Sequence, residues 1–371
     1  LIPFGVTENE LSWVYENGSV YEIGTVPEKS IRLSGNVLTV EDGATVDISA
    51  GGDLQAYEFF SGNGGSIDVL AQEGVYAILP GYSSQFAPWD VMLNSDLAPG
   101  DAVYLSGAPG LAAGTYTLLP AHYALLPGAY AVQVADNSAG LLPGYGSTQP
   151  DGSLIVPGYM TDSRGTAHGA WTGFEVISNA IVHTQSEFAI NLASDFFPNV
   201  LGLTQGLAQE AGRLSLVGQQ ALAFEGDLIA AAIPGYRGAQ LDISSDYLAI
   251  ADASAVLPDG YVTIDPTLLA SLPVESFFFG GTRRTEDGVT LIEDVATNVI
   301  VDTAGYGEVL AARELMFAAT DTVTVRDGSQ LAAYGDARND AVVNYSVTGD
   351  GALLRLGADV ATLTRSGTAG L

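Results

Sequence analysis

The chain has 371 residues, 47% hydrophobic and 15% charged, with 45 glycines, no cysteine and a net charge of -31. A sequence this apolar folds rather than staying disordered, and without cysteine it holds neither a disulfide framework nor a thiolate metal site. An acidic surface repels phosphate backbones and anionic lipid, which sets nucleic acid aside as a partner, and no apolar run of about 18 residues is present to span a membrane.

The opening Leu1-Ile2-Pro3-Phe4-Gly5 carries neither a charged n-region nor an apolar h-region, so no signal peptide is read there and the sequence is expected to be a piece of something longer. From Asn36 to Ser49, Leu38 and Val40 share one face, Asp42-Gly43 turns the chain, and Ala44, Val46 and Ile48 return to that face. The pattern predicts a strand, a tight turn and a strand. Between Leu79 and Tyr159 a Pro-Gly theme recurs at Pro80-Gly81, Pro127-Gly128, Pro143-Gly144 and Pro157-Gly158, and again later at Pro234-Gly235. Pro followed by Gly predicts a type II turn. Alternation over Thr115 to Leu119 and Tyr130 to Val134 makes this region a β-rich module in which antiparallel pairing is open.

Gly169 to Ala211 is the least regular stretch, with Leu203 to Glu210 a helical turn or a loop. Apolar pairs then follow one another: Leu214 and Leu216, Leu222 and Phe224, Leu228 and Ala230, Leu241 and Ile243, Leu248 and Ile250, broken by Gly218, Gly226, Gly235 and Gly238. Several short strands that all turn the same way describe a parallel β-helix. Asp265-Pro266 offers an N-cap and a first-turn proline for a short helix. The Asp-Gly plan returns at Val323 to Leu331 around Asp327-Gly328 and at Tyr345 to Leu356, and Asp327 and Asp350 lie 23 residues apart, a solenoid-like period. The predicted fold class is therefore all-β: a parallel β-helix (β-solenoid) with coils over 1-54 and 211-371 and a β-rich insertion over 55-210. An antiparallel sandwich or meander, with Asp-Gly as a hairpin turn, is the alternative.

Chemistry-bearing patterns are sparse. Lys29, the single lysine, follows Glu28 with no glycine loop before it, so there is no P-loop, and no G-x-S-x-G elbow occurs. His122, His168 and His183 are isolated from one another. Paired carboxylates of the kind that cleave polysaccharides have candidates in Asp242, Asp246 and Asp252, or in Glu286, Asp287, Glu293 and Asp294, although chance proximity is expected among 43 acidic residues. Calcium is the ion such a composition favours, but Gly62-Asn63-Gly64-Gly65-Ser66-Ile67-Asp68 departs from the calcium nonapeptide and reads as a turn. Arg283-Arg284 is a candidate anchor for an acidic ligand or a local salt bridge, and Trp13, Trp89 and Trp171 are candidates for sugar stacking or for packing. No catalytic, cofactor-binding or metal-ligating residue is assigned.

Several phrases carry a likeness. Trp13-Val14-Tyr15, Pro27-Glu28-Lys29-Ser30, Gly43 to Phe59, Gly114 to Tyr130 with its Leu-Leu-Pro-Ala-His-Tyr core, and Ala211 to Leu216 resemble the filamentous-haemagglutinin-type large exoproteins of Gram-negative bacteria. The resemblance runs from about Leu1 to Leu356. It implies a right-handed β-helix, export by two-partner secretion through an outer-membrane barrel transporter of the TpsB type, and a secreted or cell-surface location. It also implies adhesion to a receptor or glycan on a host or neighbouring cell. It offers no catalytic residues. The expected function is a structural and adhesive segment, with a carbohydrate-binding or polysaccharide-cleaving β-helix protein as the alternative.

Overall fold

A computed structural model describes residues 1–16, 19–62, 65–88, 97–98, 100–286, 288–338 and 342–366. The protein is mainly β, with 47% strand and 8% helix, and contains several mixed or parallel sheets and a near-closed antiparallel barrel. Two compact units are present, Leu1–Ile23 with Leu54–Leu192 and Gly24–Asp53 with Ala193–Leu371. The stretch 1-54 is thus shared between the units. Among the described residues no helix is long and apolar enough to cross a membrane.

The first unit holds the barrel. Its strands follow the order Tyr76–Ile78, Tyr130–Val134, Thr172–Ser178, Leu154–Asp162, Asp101–Leu105 and Gly114–Thr117, every neighbouring pair antiparallel. Just beyond the last strand, Leu119 exchanges backbone hydrogen bonds with Ala77 at 2.8 and 2.9 Å, which brings the two edges together. Val103, Leu105, Val132, Val156, Phe174 and Val176 fill the interior. A second sheet pairs Leu54–Phe60 with Ile2–Glu8 in parallel and with Glu187–Leu192 in antiparallel fashion.

The Pro-Gly turns divide by backbone conformation. Gly128, Gly144 and Gly235 have φ of 78°, 92° and 92°, the positive value that a type II turn demands of its third residue. Gly81 is not among the positive-φ glycines, so the Leu79 to Tyr82 turn, closed at 2.8 Å, is not of that type. Pro157-Gly158 is no turn at all. Gly158 lies inside the strand Leu154–Asp162, where a Cβ would strike the Tyr104 carbonyl, and its bare backbone lets the two strands approach.

In the second unit, Ser30–Val40, Arg213–Phe224, Gln240–Ser244, Ser276–Phe279 and Glu314–Ala319 are neighbours in one sheet, every pair parallel. Further parallel pairs are Thr45–Asp47 with Asp227–Ile229, Tyr247–Ala251 with Val262–Ile264 and with Asn298–Asp302, the latter with Thr322–Val325, and Leu310–Ala312 with Leu331–Ala333. Asp42-Gly43 and Asp327-Gly328 therefore act as corners, not hairpins, because the strands on either side of each pair with other strands and not with each other.

Alternation decides the core. Leu214, Leu216, Phe224, Ala230, Leu241, Ile243, Leu248 and Ile250 all enter one buried cluster, joined by Phe277, Phe279, Leu315 and Phe317. Parallel register keeps like residues in line: Leu214, Leu241, Phe277 and Leu315 face one another in turn. The third expected Asp-Gly repeat departs from this plan. Ala352–Gly357 runs antiparallel to Glu314–Ala319, and the bend before it holds Gly349 at φ of 99°.

Among the described residues three short α-helices are present. Pro266–Ser271 starts as its sequence predicts, with Asp265 accepting a bond from the Thr267 N–H at 2.7 Å. Asn179–Gln185 and Ala193–Asn199 lie in the irregular stretch and were not anticipated, while Leu203 to Glu210 is a loop.

Gly280, with φ of 91°, ends Ser276–Phe279 and launches the hairpin Gly281–Glu286 with Val289–Asp294. A Cβ there would strike the Ala318 carbonyl and the Val299 side chain. Gly280→Ala is expected to lower stability by about 2 kcal/mol or more, read as a fall in the thermal midpoint. An unchanged midpoint would mean that the backbone there relaxes freely.

Candidate functional site

Sheet alternation that sends Leu214, Leu241, Phe277 and Leu315 inward sends their neighbours outward. The parallel register then lines up Arg213, Gln240, Ser276 and Glu314, and beside them Ser215, Asp242, Phe278 and Met316. This outward face is not left to solvent. Arg283 from the hairpin and Tyr345 from Val343–Thr348 lie buried over it, together with Ile292 and Val347.

Asp242 and Arg283 have fully buried side chains and lie 2.7 Å apart. The Arg283 backbone N–H and Nε both donate to the same carboxylate at 2.8 Å. Arg283 Nη1 donates to Ser276 Oγ at 2.7 Å and approaches Glu314 at 3.4 Å. Glu314 also accepts from Ser276, Tyr345 and Arg355, each at 2.7 Å. Two carboxylates thus meet two guanidiniums, and the buried network is neutral, as burial of charge requires.

Burial by itself would raise the Glu314 carboxyl, but Arg283, Arg355 and the hydrogen bonds from Ser276 and Tyr345 outweigh it and hold it below the usual range. Burial, then the Glu314 charge, push the Tyr345 phenol up. Burial brings Arg213 down to about 10, against the opposing pull of Asp242. A carboxylate held ionised in this way is a poor proton donor at neutral pH, so the network suits recognition and stability better than general acid chemistry.

A cleft of ≈ 100 Å³ opens beside the network, lined by Glu210, Arg237, Gln240, Glu275, Arg338 and Tyr345 among others. Arg237 pairs with Glu210 at 2.8 Å, Arg338 pairs with Glu275, and Arg313 grips Asp359 in a fork at 2.6 and 3.1 Å. Lys29 is tied to the backbone carbonyls of Gly51, Ala208 and Glu210.

Residues singled out from the sequence are dispersed. Asp242 belongs to the buried network, Asp246 is exposed, and Asp252 caps its own turn by accepting from Ser254 N–H at 2.8 Å. Glu293 and Asp294 are successive in a strand and point to opposite faces. Asp287, Trp89, Asn63 and Gly64 lie outside the described residues. Arg284 is exposed and pairs with Glu286 at 3.2 Å, so the two adjacent arginines have separate partners.

His122 bonds to Asp68 at 2.9 Å and stacks on Tyr57, His168 stacks on Tyr159, and His183 ends a short helix. Trp13 is fully buried with its indole N–H on the Phe4 carbonyl at 3.0 Å, and Trp171 meets Tyr159 edge-on. Among the described residues no group of three or more His, Cys, Asp or Glu is placed to hold a metal ion.

The roles of Glu314, Arg355, Tyr345, Arg313 and Arg338 were not foreseen. One signal was available: of the twelve Lys and Arg residues, all but Arg164 fall in the second unit. Compared with known proteins, the chain matches no family model, no curated protein and no solved structure.

Glu314 and Asp359 both titrate below their ordinary values in the folded protein. A depressed folded value contributes stability that is fully present above the unfolded carboxyl range of about 4 and is lost as pH falls through the lower folded values. The thermal midpoint is expected to be level from neutrality to about pH 5 and to drop steeply below about pH 4. A midpoint that holds or rises on acidification would contradict this assignment.

Proposed function

We propose that this chain is a structural and adhesive segment of a secreted bacterial surface exoprotein of the filamentous-haemagglutinin type. In this reading the parallel strands of the second unit are coils of a right-handed β-helix, and the barrel-bearing unit supplies a contact surface. The parent molecule reaches the cell surface by two-partner secretion, and its partner is a receptor or glycan on a host or neighbouring cell.

One observation carries the reading: five strands pair in parallel and in register, with a continuous apolar column behind them. Such stacking needs only neighbouring coils to cover each apolar face, so it suits a stalk that extends by repetition. Two features agree with it. Asp-Gly pairs serve as corners, and a net charge of -31 keeps long molecules soluble and apart.

The test is adhesion. Beads coated with the whole chain should be retained on cultured epithelial or bacterial cells, saturably, and released by the free chain. Absence of retention on every surface tried would overturn the adhesive reading. Release of reducing ends from polysaccharides would replace it with the glycan-cleaving alternative.

A further inference from the structure

We infer that the free edge of Ser30–Val40 pairs with the same edge of a second copy of this chain, antiparallel and across a two-fold axis, so that two parallel sheets meet end to end. The inference stands apart from the adhesive reading and does not depend on it.

The edge is long and open. Ser30–Val40 has 11 residues, is the last strand of its sheet, and has Arg213–Phe224 as its strand neighbour. A strand paired on one side leaves alternate backbone N–H and C=O groups directed away from the sheet, a template for another strand. Residues 1–23 and 54–192, on either side of this segment in the chain, belong to the first unit, and among the described residues no strand continues the sheet here.

Nothing in the sequence guards this edge. It contains no proline, and its one charged residue, Arg32, lies level with Ser215 on the outward face. Arg32, Ser34, Val37 and Thr39 are exposed, Val37 at 64%. Ile31, Leu33 and Leu38 pack on the apolar cluster yet stay only partly buried, so the apolar column stops at this strand without a cover.

The order of residues selects a second copy as the cover. The ladder shifts register between Gly35 and Val37, which places Ile31 and Leu33 inward before the shift and Leu38 and Val40 inward after it. Read in reverse, the strand therefore presents the same pattern. Paired antiparallel about its midpoint, Ile31 faces the partner's Val40 and Leu33 the partner's Leu38 on the inner side. Arg32 faces the partner's Thr39 and Ser34 the partner's Val37 on the outer side. The apolar column runs on through the contact, and no like charges meet along the strand. A slip of one residue would set inward residues against outward ones.

The opposite end of the sheet is a poorer mate. Ala352–Gly357 has six residues, so a head-to-tail contact would cover about half of the 11-residue edge and would repeat without closing. Two like edges close at two copies. Each copy carries a net charge of -31, so association is expected to strengthen as salt screens the repulsion.

The experiment is sedimentation equilibrium of the whole chain across a concentration series, at low salt and at about 0.5 M salt, where the screening length is roughly 4 Å. A single-chain to two-chain equilibrium is expected, tighter at high salt, with the Ser30–Val40 amides gaining hydrogen-exchange protection as concentration rises. Thr39→Arg sets like charges together twice per pair and should weaken association by about tenfold, although it lowers the net charge. Thr39→Arg combined with Arg32→Glu should restore it. Ser147→Arg, the same charge change at an exposed position in the other unit, should not weaken it. Thr39 is exposed, and thermal midpoints confirm that its variants fold.

A single-chain mass at every concentration and salt would overturn the inference. So would masses that grow beyond two copies, which is the head-to-tail outcome, or a Thr39→Arg chain that associates as the parent does.

Discussion

Asp242→Ala is expected to destabilise the second unit by about 3–5 kcal/mol, because it leaves the Arg283 guanidinium buried without its counter-charge. Asp242 takes three contacts from that one residue, at 2.8, 2.8 and 2.7 Å, and both side chains are fully buried. Glu314, at 3.4 Å, is too far and too engaged with Arg355 and Tyr345 to replace it. Asp242→Ala combined with Arg283→Met should therefore recover most of the loss, since the methionine adds apolar bulk beside Phe278, Ile292 and Met316.

The readout must come from the second unit itself. Trp13 and Trp171 belong to the first unit, so their fluorescence does not report on this network. Hydrogen exchange of the Gln240–Ser244 amides in increasing urea does. Equal destabilisation by the single and double variants would mean that the pair is not energetically coupled.

Phe317→Ala should lower stability by a comparable amount, about 3–5 kcal/mol. Phe317 is fully buried and stacks on Phe279 at 5.2 Å, which in turn stacks parallel to Phe277 at 5.9 Å. These rings sit on neighbouring strands held in register by backbone ladders, so the walls cannot close over the space a missing ring leaves. Val325→Ala gives the contrast: Val325 is 44% exposed, and its loss should stay within about 0.5 kcal/mol. The same exchange experiment, read at Ser276–Phe279, distinguishes the two. A small effect at Phe317 would mean that the apolar column is loosely packed.

Much of the fold was legible where its cause is local. Apolar pairs from Leu214 to Ile250 did point inward, and Asp265-Pro266 did open a helix. Three of the Pro-Gly turns took their positive φ. Errors arose where a distant neighbour overrode local preference: Pro157-Gly158 became strand because Tyr104 packs against it, and the strand after Gly349 pairs antiparallel with Glu314–Ala319. The cleft and the ionic network were hidden for a related reason. Asp242 and Arg283 are 41 residues apart, as are Glu314 and Arg355, and no local pattern links members of such pairs.

What the sequence determined alone was the set of faces: alternation fixes which residues of a strand turn inward, and composition fixes an acidic, cysteine-free, β-rich chain. What only the tertiary structure decided was partnership. Alternation repeats every two residues in every strand and so carries no address. Which strands meet, in which direction and at what register depends on contacts across tens of residues, and those contacts put Asp242 under Arg283 and Glu210 beside Arg237.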